Sequence, residues 1–209
     1  MMPLAALAAM AGCQNASKLD GQSAAASTRV SPRVVDKPAK LEFFVMSKCP
    51  YGVQVEKAVA PVLEQLGGNV EFHIAFIGDK QGDELTSMHG PSEVTGDIAQ
   101  LCARDVAPDK YVKMIACQNN DPAHVDTNWE SCGQEVGIDT GAVKACMDGK
   151  GKELLAASFD EARQRGATGS PTMYLNGKPY EGGRKSKDFL RAICNTFDGA
   201  KPAECQNIP

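Results

Sequence analysis

The stretch LEFFVMSKCPYG, Leu41 to Gly52, constrains the fold more than any other. A strand-type apolar run leads into Cys49. Pro50 comes next at a position suited to the first residue of a helix, because its fixed φ is already helical and its missing N–H would have had no partner there. From Tyr51 to Leu66, the residues Val55, Ala58, Val59, Val62, Leu63 and Leu66 recur at helical spacing, with Gly67-Gly68 as a stop and Pro61 as an expected kink. Val70, Phe72, Ile74 and Phe76 then alternate as in a strand. The chain therefore opens strand, helix, strand, with a cysteine at the first turn.

The middle of the chain is different in kind. From Ile98 to about Arg165 only short helical patterns occur, including IAQLCARDV, KYVKMIACQ, the surroundings of Trp129, TGAVKACMDG and KELLAASFDEARQRG. Pro171–Asn176 and Lys178–Tyr180 read as two strands joined at Asn176-Gly177, a strong hairpin signal. Lys187–Phe197 closes the chain as a helix. This order is α/β with one large helical insertion and no internal repeat.

Bulk composition sets the outer limits. With 209 residues, 43% of them hydrophobic, the chain can bury one core of ordinary size. Its net charge of -4, from 22 basic and 26 acidic residues well mixed, leaves no footprint for nucleic acid. The eight cysteines lack zinc-type spacing, which points to an oxidising compartment. Met1–Gly12 is apolar and rich in small residues, as in a secretory signal, and is too short to span a bilayer. Met10-Ala11-Gly12-Cys13 resembles the lipobox of bacterial lipoproteins, with Met10 where leucine is usual, and implies lipidation at Cys13; an ordinary cleaved signal is the alternative. The division expected is 1–12 signal segment, 13–40 flexible tether of Ala, Ser, Gln, Lys and Pro, and 41–205 folded domain with its helical insertion at about 92–165.

Ser87–Cys102 reads SMHGPSEVTGDIAQLC. It resembles the C-Q-H-G-x-x-E-C-x-x-N-x-x-x-x-C signature of the gamma-interferon-inducible lysosomal thiol reductases (GILT). His89, Gly90, Glu93 and Cys102 fall in register, while Ser87, Met88, Val94 and Asp97 stand at the remaining fixed positions. The tail ICNTFDGAKPAEC, Ile193–Cys205, is similar to that family's end, and the helical insertion resembles the DsbA-type oxidoreductases. The resemblance implies a thioredoxin-like fold with a large inserted helical subdomain, and disulfide chemistry at a CxxC pair. Here that pair is Cys49-Pro50-Tyr51-Gly52, with glycine in place of the second thiol. The resemblance also implies that Ser170-Pro171-Thr172 is the loop facing the cysteine, that the bond before Pro171 is cis, and that the Ser170 backbone presents an extended substrate.

A thiol attacks disulfides as thiolate, and a helix N-terminus favours the anion at Cys49; Lys48 adds a screened charge. Gly52 cannot release a mixed disulfide from within. Three readings are open: single-thiol exchange or isomerase-like action on protein or small-molecule disulfides, with an external reducing thiol; a redox sensor; or a non-catalytic client-binding lipoprotein. With Cys13 lipidated and Cys49 free, the six cysteines left allow fifteen pairings, among which short spacing favours Cys194–Cys205 and Cys117–Cys132, leaving Cys102–Cys146. No cofactor and no metal is expected. His89 reads as a turn residue, His73 as packing or solvent-facing, His124 as part of a polar loop and Trp129 as an anchor of the helical block. A Cu(I) site at Cys49, Met46 and Met173 is the remaining sulfur-rich possibility. Together these features describe a monothiol disulfide oxidoreductase, secreted across the inner membrane and held in the periplasm or at the outer membrane by a lipid anchor.

Overall fold

The computed structural model describes residues 33–206 and 208; the signal-type segment, Cys13 and the tether up to residue 32 lie outside the described residues. The first strand, β1 (Ala39–Val45), begins two residues before the Leu41 expected. The chain is fixed earlier still. Val35 is buried, and the backbone N–H groups of Val34 and Val35 both donate to Asn69 Oδ1, at 2.7 and 3.3 Å. The end of the expected tether, 33–40, is therefore packed structure. An adjacent pair of valines in an otherwise largely polar stretch has no periodicity to reveal this.

Helix α1 (Pro50–Leu66) comes after β1 and leads through a short 3-10 turn (Gly67–Asn69) to β2 (Val70–Phe76). It is one helix through Pro61, which lies on the exposed face, where the carbonyl it cannot pair with reaches water. A small hairpin comes next, β3 (Asp79–Gln81) with β4 (Glu84–Thr86). Five helices form the insertion: α2 (Pro91–Val106), α3 (Tyr111–Gln118), α4 (Trp129–Glu135), α5 (Thr140–Asp148) and α6 (Gly151–Gln164). Strands β5 (Thr172–Leu175) and β6 (Lys178–Pro179) then precede α7 (Ser186–Cys194). Asn176 and Gly177 join β5 to β6 with φ of 50° and 77°, the two left-handed residues that a type I′ hairpin requires.

The main sheet runs β2-β1-β5-β6, with β1 parallel to β2 and antiparallel to β5. Alternation along β1 builds both sides of it. Leu41, Phe43 and Val45 join Val55, Val59 and Val62 of α1 and Phe189 and Ile193 of α7. Phe44 and Met46 pack instead with Ala75, Ile77, Ala162 and Ala167. Disulfides Cys102–Cys146 and Cys117–Cys132 staple the insertion, tying α2 to α5 and α3 to α4, and Cys194–Cys205 ties α7 to the last 3-10 turn. Trp129 is buried at the start of α4. Among the described residues no helix is long and apolar enough to cross a membrane. The architecture is a thioredoxin-like α/β fold with a large inserted helical subdomain.

Candidate active site at Cys49

Chain order delivers Cys49 to the end of a buried central strand. A tight turn, in which the Cys49 N–H donates to the Met46 carbonyl at 3.0 Å, reverses the backbone; Cys49 is then the N-cap of α1 and Pro50 its first residue. No side chain caps this helix and no acidic residue lies in its first turn, so the sulfur sits where unpaired N–H groups and the helix dipole present positive potential. Cys49 is half-buried, and it is the one free thiol among the described residues; Cys102, Cys117, Cys132, Cys146, Cys194 and Cys205 are all in disulfides.

The loop before β5 closes over the thiol. The Ser170–Pro171 bond is cis. The Cys49 thiol donates to the Ser170 carbonyl at 3.6 Å, while the Ser170 hydroxyl accepts from the Met46 N–H at 3.0 Å. Thr172 Oγ1 donates to the Gly169 carbonyl at 2.8 Å and so shapes the same loop. Gly52 is buried in the first turn of α1, and a Cβ there would stand 2.7 Å from Ser170 Oγ and 3.2 Å from the Met46 carbonyl oxygen. The space beside Gly52, where a side chain would begin, holds a serine hydroxyl.

A second segment braces the turn from the insertion. Glu93, fully buried on α2, accepts from the Lys48 N–H at 2.7 Å, the Ser87 hydroxyl at 2.6 Å and the His89 N–H at 3.1 Å, and pairs with His89 Nδ1 at 2.9 Å. Lys48 Nζ donates to Ser92 Oγ at 2.8 Å. Two large apolar side chains are exposed beside this frame. Tyr51 is 64% exposed and Met88 77% exposed, and both belong to segments bounding the Cys49 turn.

Two further acids lie beneath. Glu56 on α1 is buried, accepts from Asn119 Nδ2 at 2.7 Å, and has its carboxyl pushed up to about 7 by desolvation, against the pull of that hydrogen bond. Asp97 on α2 is fully buried opposite Ser47, two residues before Cys49. Desolvation raises it well above the usual carboxylate range; the Glu93 and Glu56 charges add to that and hydrogen bonding from Ser47 opposes it. Sequence reading gave neither residue a role, since an acid on a helix reads as solvent-facing until its neighbours are known.

The other tempting residues lie elsewhere. His73 pairs with Glu161 at 2.8 Å and His124 with Asp121 at 2.8 Å, both at the surface. Met46 packs beside Cys49 in one core cluster, whereas Met173 belongs to the other, so the three sulfurs envisaged for Cu(I) do not converge. Among the described residues no group of His, Cys, Asp and Glu could hold a metal ion.

Residues 40–136 match the family model of gamma interferon inducible lysosomal thiol reductase (GILT). No curated protein matches the chain. Among solved structures, the reduced form of the disulfide bond oxidoreductase DsbG from Mycobacterium tuberculosis is similar over 87% of this chain and 88% of its own, with TM-score 0.61 and 15% identity. MdbA, a thiol-disulfide oxidoreductase from Actinomyces oris, is similar over 78% of this chain and 84% of its own, at TM-score 0.61 and 11% identity. A putative protein-disulfide isomerase from Pseudomonas syringae is similar over 75% and 94%, at TM-score 0.52 and 17% identity. The fold and the disulfide-braced insertion are those of a thioredoxin-like fold with inserted helices, and residues 40–136, which hold the strand–cysteine–helix turn, are similar to the GILT family.

Proposed function

We propose that this protein carries out thiol–disulfide exchange at a single sulfur. The Cys49 thiolate attacks one sulfur of a substrate disulfide. A bond forms between Cys49 and that sulfur, and the other substrate sulfur leaves as thiolate. With Gly52 in the first turn of α1, no neighbouring thiol completes the cycle. A second cysteine of the same substrate, or an external thiol, attacks the mixed disulfide and frees Cys49. The first route is isomerase-like and the second reductive.

The observation that carries this reading is the position of Cys49: unpaired and half-buried at an uncapped helix N-terminus, 3.6 Å from the Ser170 carbonyl, while every other described cysteine is in a disulfide. The Ser170-Pro171-Thr172 loop, whose Ser170 carbonyl lies 3.6 Å from the thiol, supports an extended polypeptide as substrate, paired through the Ser170 backbone, with Tyr51 and Met88 as apolar flanks. Three disulfides favour an oxidising, extracytoplasmic setting. Lipidation at Cys13 would hold the domain at a membrane surface within reach of clients. A client-binding role without turnover is the competing reading, and the hydroxyl packed beside Gly52 is the feature that favours it.

Trapping separates the two. An unfolded, disulfide-containing client incubated with the native protein and quenched with acid should give a mixed disulfide at Cys49 that is absent in Cys49→Ser. Client retention that is equal in both proteins, with no covalent adduct, would establish binding without exchange.

A further inference from the structure

Cys49 stands just past the end of β1, and β1 lies between β2 and β5. Each neighbour sends a segment to the cysteine turn. From the β5 side, Ser170 Oγ accepts the Met46 N–H at 3.0 Å. From the β2 side, beyond the β3–β4 hairpin, Glu93 Oε1 accepts the Lys48 N–H at 2.7 Å. A client strand paired with Ser170 occupies the first side and leaves the second open.

An ordered imidazole stands on that second side. The Ser87–Gly90 turn closes with the Gly90 N–H on the Ser87 carbonyl at 3.1 Å, and the His89 N–H donates to Glu93 Oε2, also at 3.1 Å. His89 Nδ1 meets the same carboxylate at 2.9 Å. A carboxylate only accepts, so Nδ1 carries a hydrogen and Nε2 is the ring position whose proton comes and goes. Among the described residues nothing else engages the ring, and the side chain is 31% exposed while Glu93 is fully buried. One oxygen, Glu93 Oε1, touches both Nδ1 and the Lys48 N–H. A single atom therefore separates the ring from the backbone of the residue before Cys49.

We propose that His89 is the acid and base of the exchange reaction, serving the sulfur that leaves and the thiol that follows; the proposal rests on the exchange chemistry assigned to Cys49 above. As the Cys49 thiolate bonds to the near sulfur of a client disulfide, the electron pair of the S–S bond passes to the far sulfur. That sulfur takes the Nε2 proton and departs as a thiol. The neutral ring then accepts the proton of the incoming thiol, whose thiolate attacks the mixed disulfide and returns Cys49 as thiolate. Protons and electrons balance over the cycle with only the client and the incoming thiol. Gly52 can supply neither thiol nor proton, which leaves these steps to another group. In-line displacement puts the leaving sulfur two S–S lengths, about 4 Å, from Cys49. The task therefore asks for a ring set back from the cysteine on a neighbouring segment, and the Ser87–Gly90 turn, tied to Lys48 through Glu93, is such a segment.

The test compares two disulfides whose leaving thiols differ in basicity. The aryl thiolate of 5,5′-dithiobis(2-nitrobenzoate) leaves without a proton, whereas the alkyl thiolate of 2-hydroxyethyl disulfide is more basic and leaves less readily. Mixed-disulfide formation on the Cys49 peptide is timed by mass spectrometry in the native protein and His89→Asn, at high salt to screen any lost surface charge. The asparagine amide can still donate to Glu93 but has nothing at the Nε2 position. His89→Asn should react about tenfold more slowly with 2-hydroxyethyl disulfide, less than the roughly 10²-fold usual for general acids because a thiolate can leave unaided. With the aryl disulfide it should keep the native rate. A second measurement needs no variant: the ratio of aryl to alkyl rates in the native protein should be about tenfold smaller than for free N-acetylcysteine. Equal losses with both disulfides, no loss with either, or a native ratio equal to that of N-acetylcysteine overturns the proposal. A native protein that forms no adduct with either disulfide overturns the exchange reaction itself, so the two failures are told apart.

Discussion

Gly52 is where the absence of one side chain decides the most. Alanine within a helix is ordinarily favoured over glycine by about 1 kcal/mol. At this position a Cβ would stand 2.7 Å from Ser170 Oγ, and relief means turning the hydroxyl away from the Met46 N–H that it now satisfies at 3.0 Å. A buried N–H left unpaired costs about 1–3 kcal/mol. The loss outweighs the gain, and Gly52→Ala should lower stability by about 1 kcal/mol, read as a lower urea midpoint at unchanged slope. An increase in the midpoint would show that Ser170 moves freely. That glycine stands where a second thiol would be was legible in the sequence. That the hydroxyl of a residue more than a hundred positions away borders its space was not, because no local pattern reports a contact across the fold.

Among the elements, α2 matters most to the site. Its N-terminus is held to the Cys49 turn by Glu93, whose acceptors meet the Lys48 N–H, the Ser87 hydroxyl and the His89 N–H and ring. Glu93→Gln keeps the shape but turns an NH2 group toward donors. We expect a loss of about 2 kcal/mol, the scale for leaving a buried charge-assisted bond unmade, together with faster proteolysis of the segment around Met88. Wild-type stability in Glu93→Gln would mean that the donors find water instead. The His89-Gly90 and Glu93 motif was readable as a motif, but its function as a brace required the structure. Helical spacing made α1, the block of short helices and α7 readable, although α2 begins at Pro91, ahead of the Ile98 pattern, and the Asn176-Gly177 hairpin has a turn signature. Strands β3 and β4, three residues each and almost wholly exposed, have no apolar alternation to betray them.

At the scale of the whole molecule, the buried acids make stability depend on pH in an unusual direction. Glu56 loses its proton near 4.5 in the unfolded chain and at about 7 in the folded one. Between those values the folded state holds more protons, so stability falls as pH rises through this window and levels off above it. For Glu56 alone the loss is about 3 kcal/mol. Asp97, shifted the same way, adds to it. Urea unfolding at pH 5 and pH 8 should therefore show the native protein weaker at pH 8, with Glu56→Gln removing part of the difference and leaving the part due to Asp97. Equal stability at both pH values in the native protein would contradict the burial assigned to these groups. The general architecture was legible because each of its parts is local: strand into cysteine and proline, a run of helices without strands, a hairpin, a last helix. Which acids end up inside was not, since helical spacing says how residues share a face and not which face a second layer will cover.

Single-sulfur chemistry requires that Cys49 react once and have no partner within the chain. Titration of the native protein and Cys49→Ser with 5,5′-dithiobis(2-nitrobenzoate) reads this out. The native protein should release one more equivalent of thionitrobenzoate than Cys49→Ser, and the adduct should persist on the Cys49 peptide until an external thiol is added. Release of a second equivalent, with Cys49 closing a disulfide to another cysteine of the chain, would contradict it.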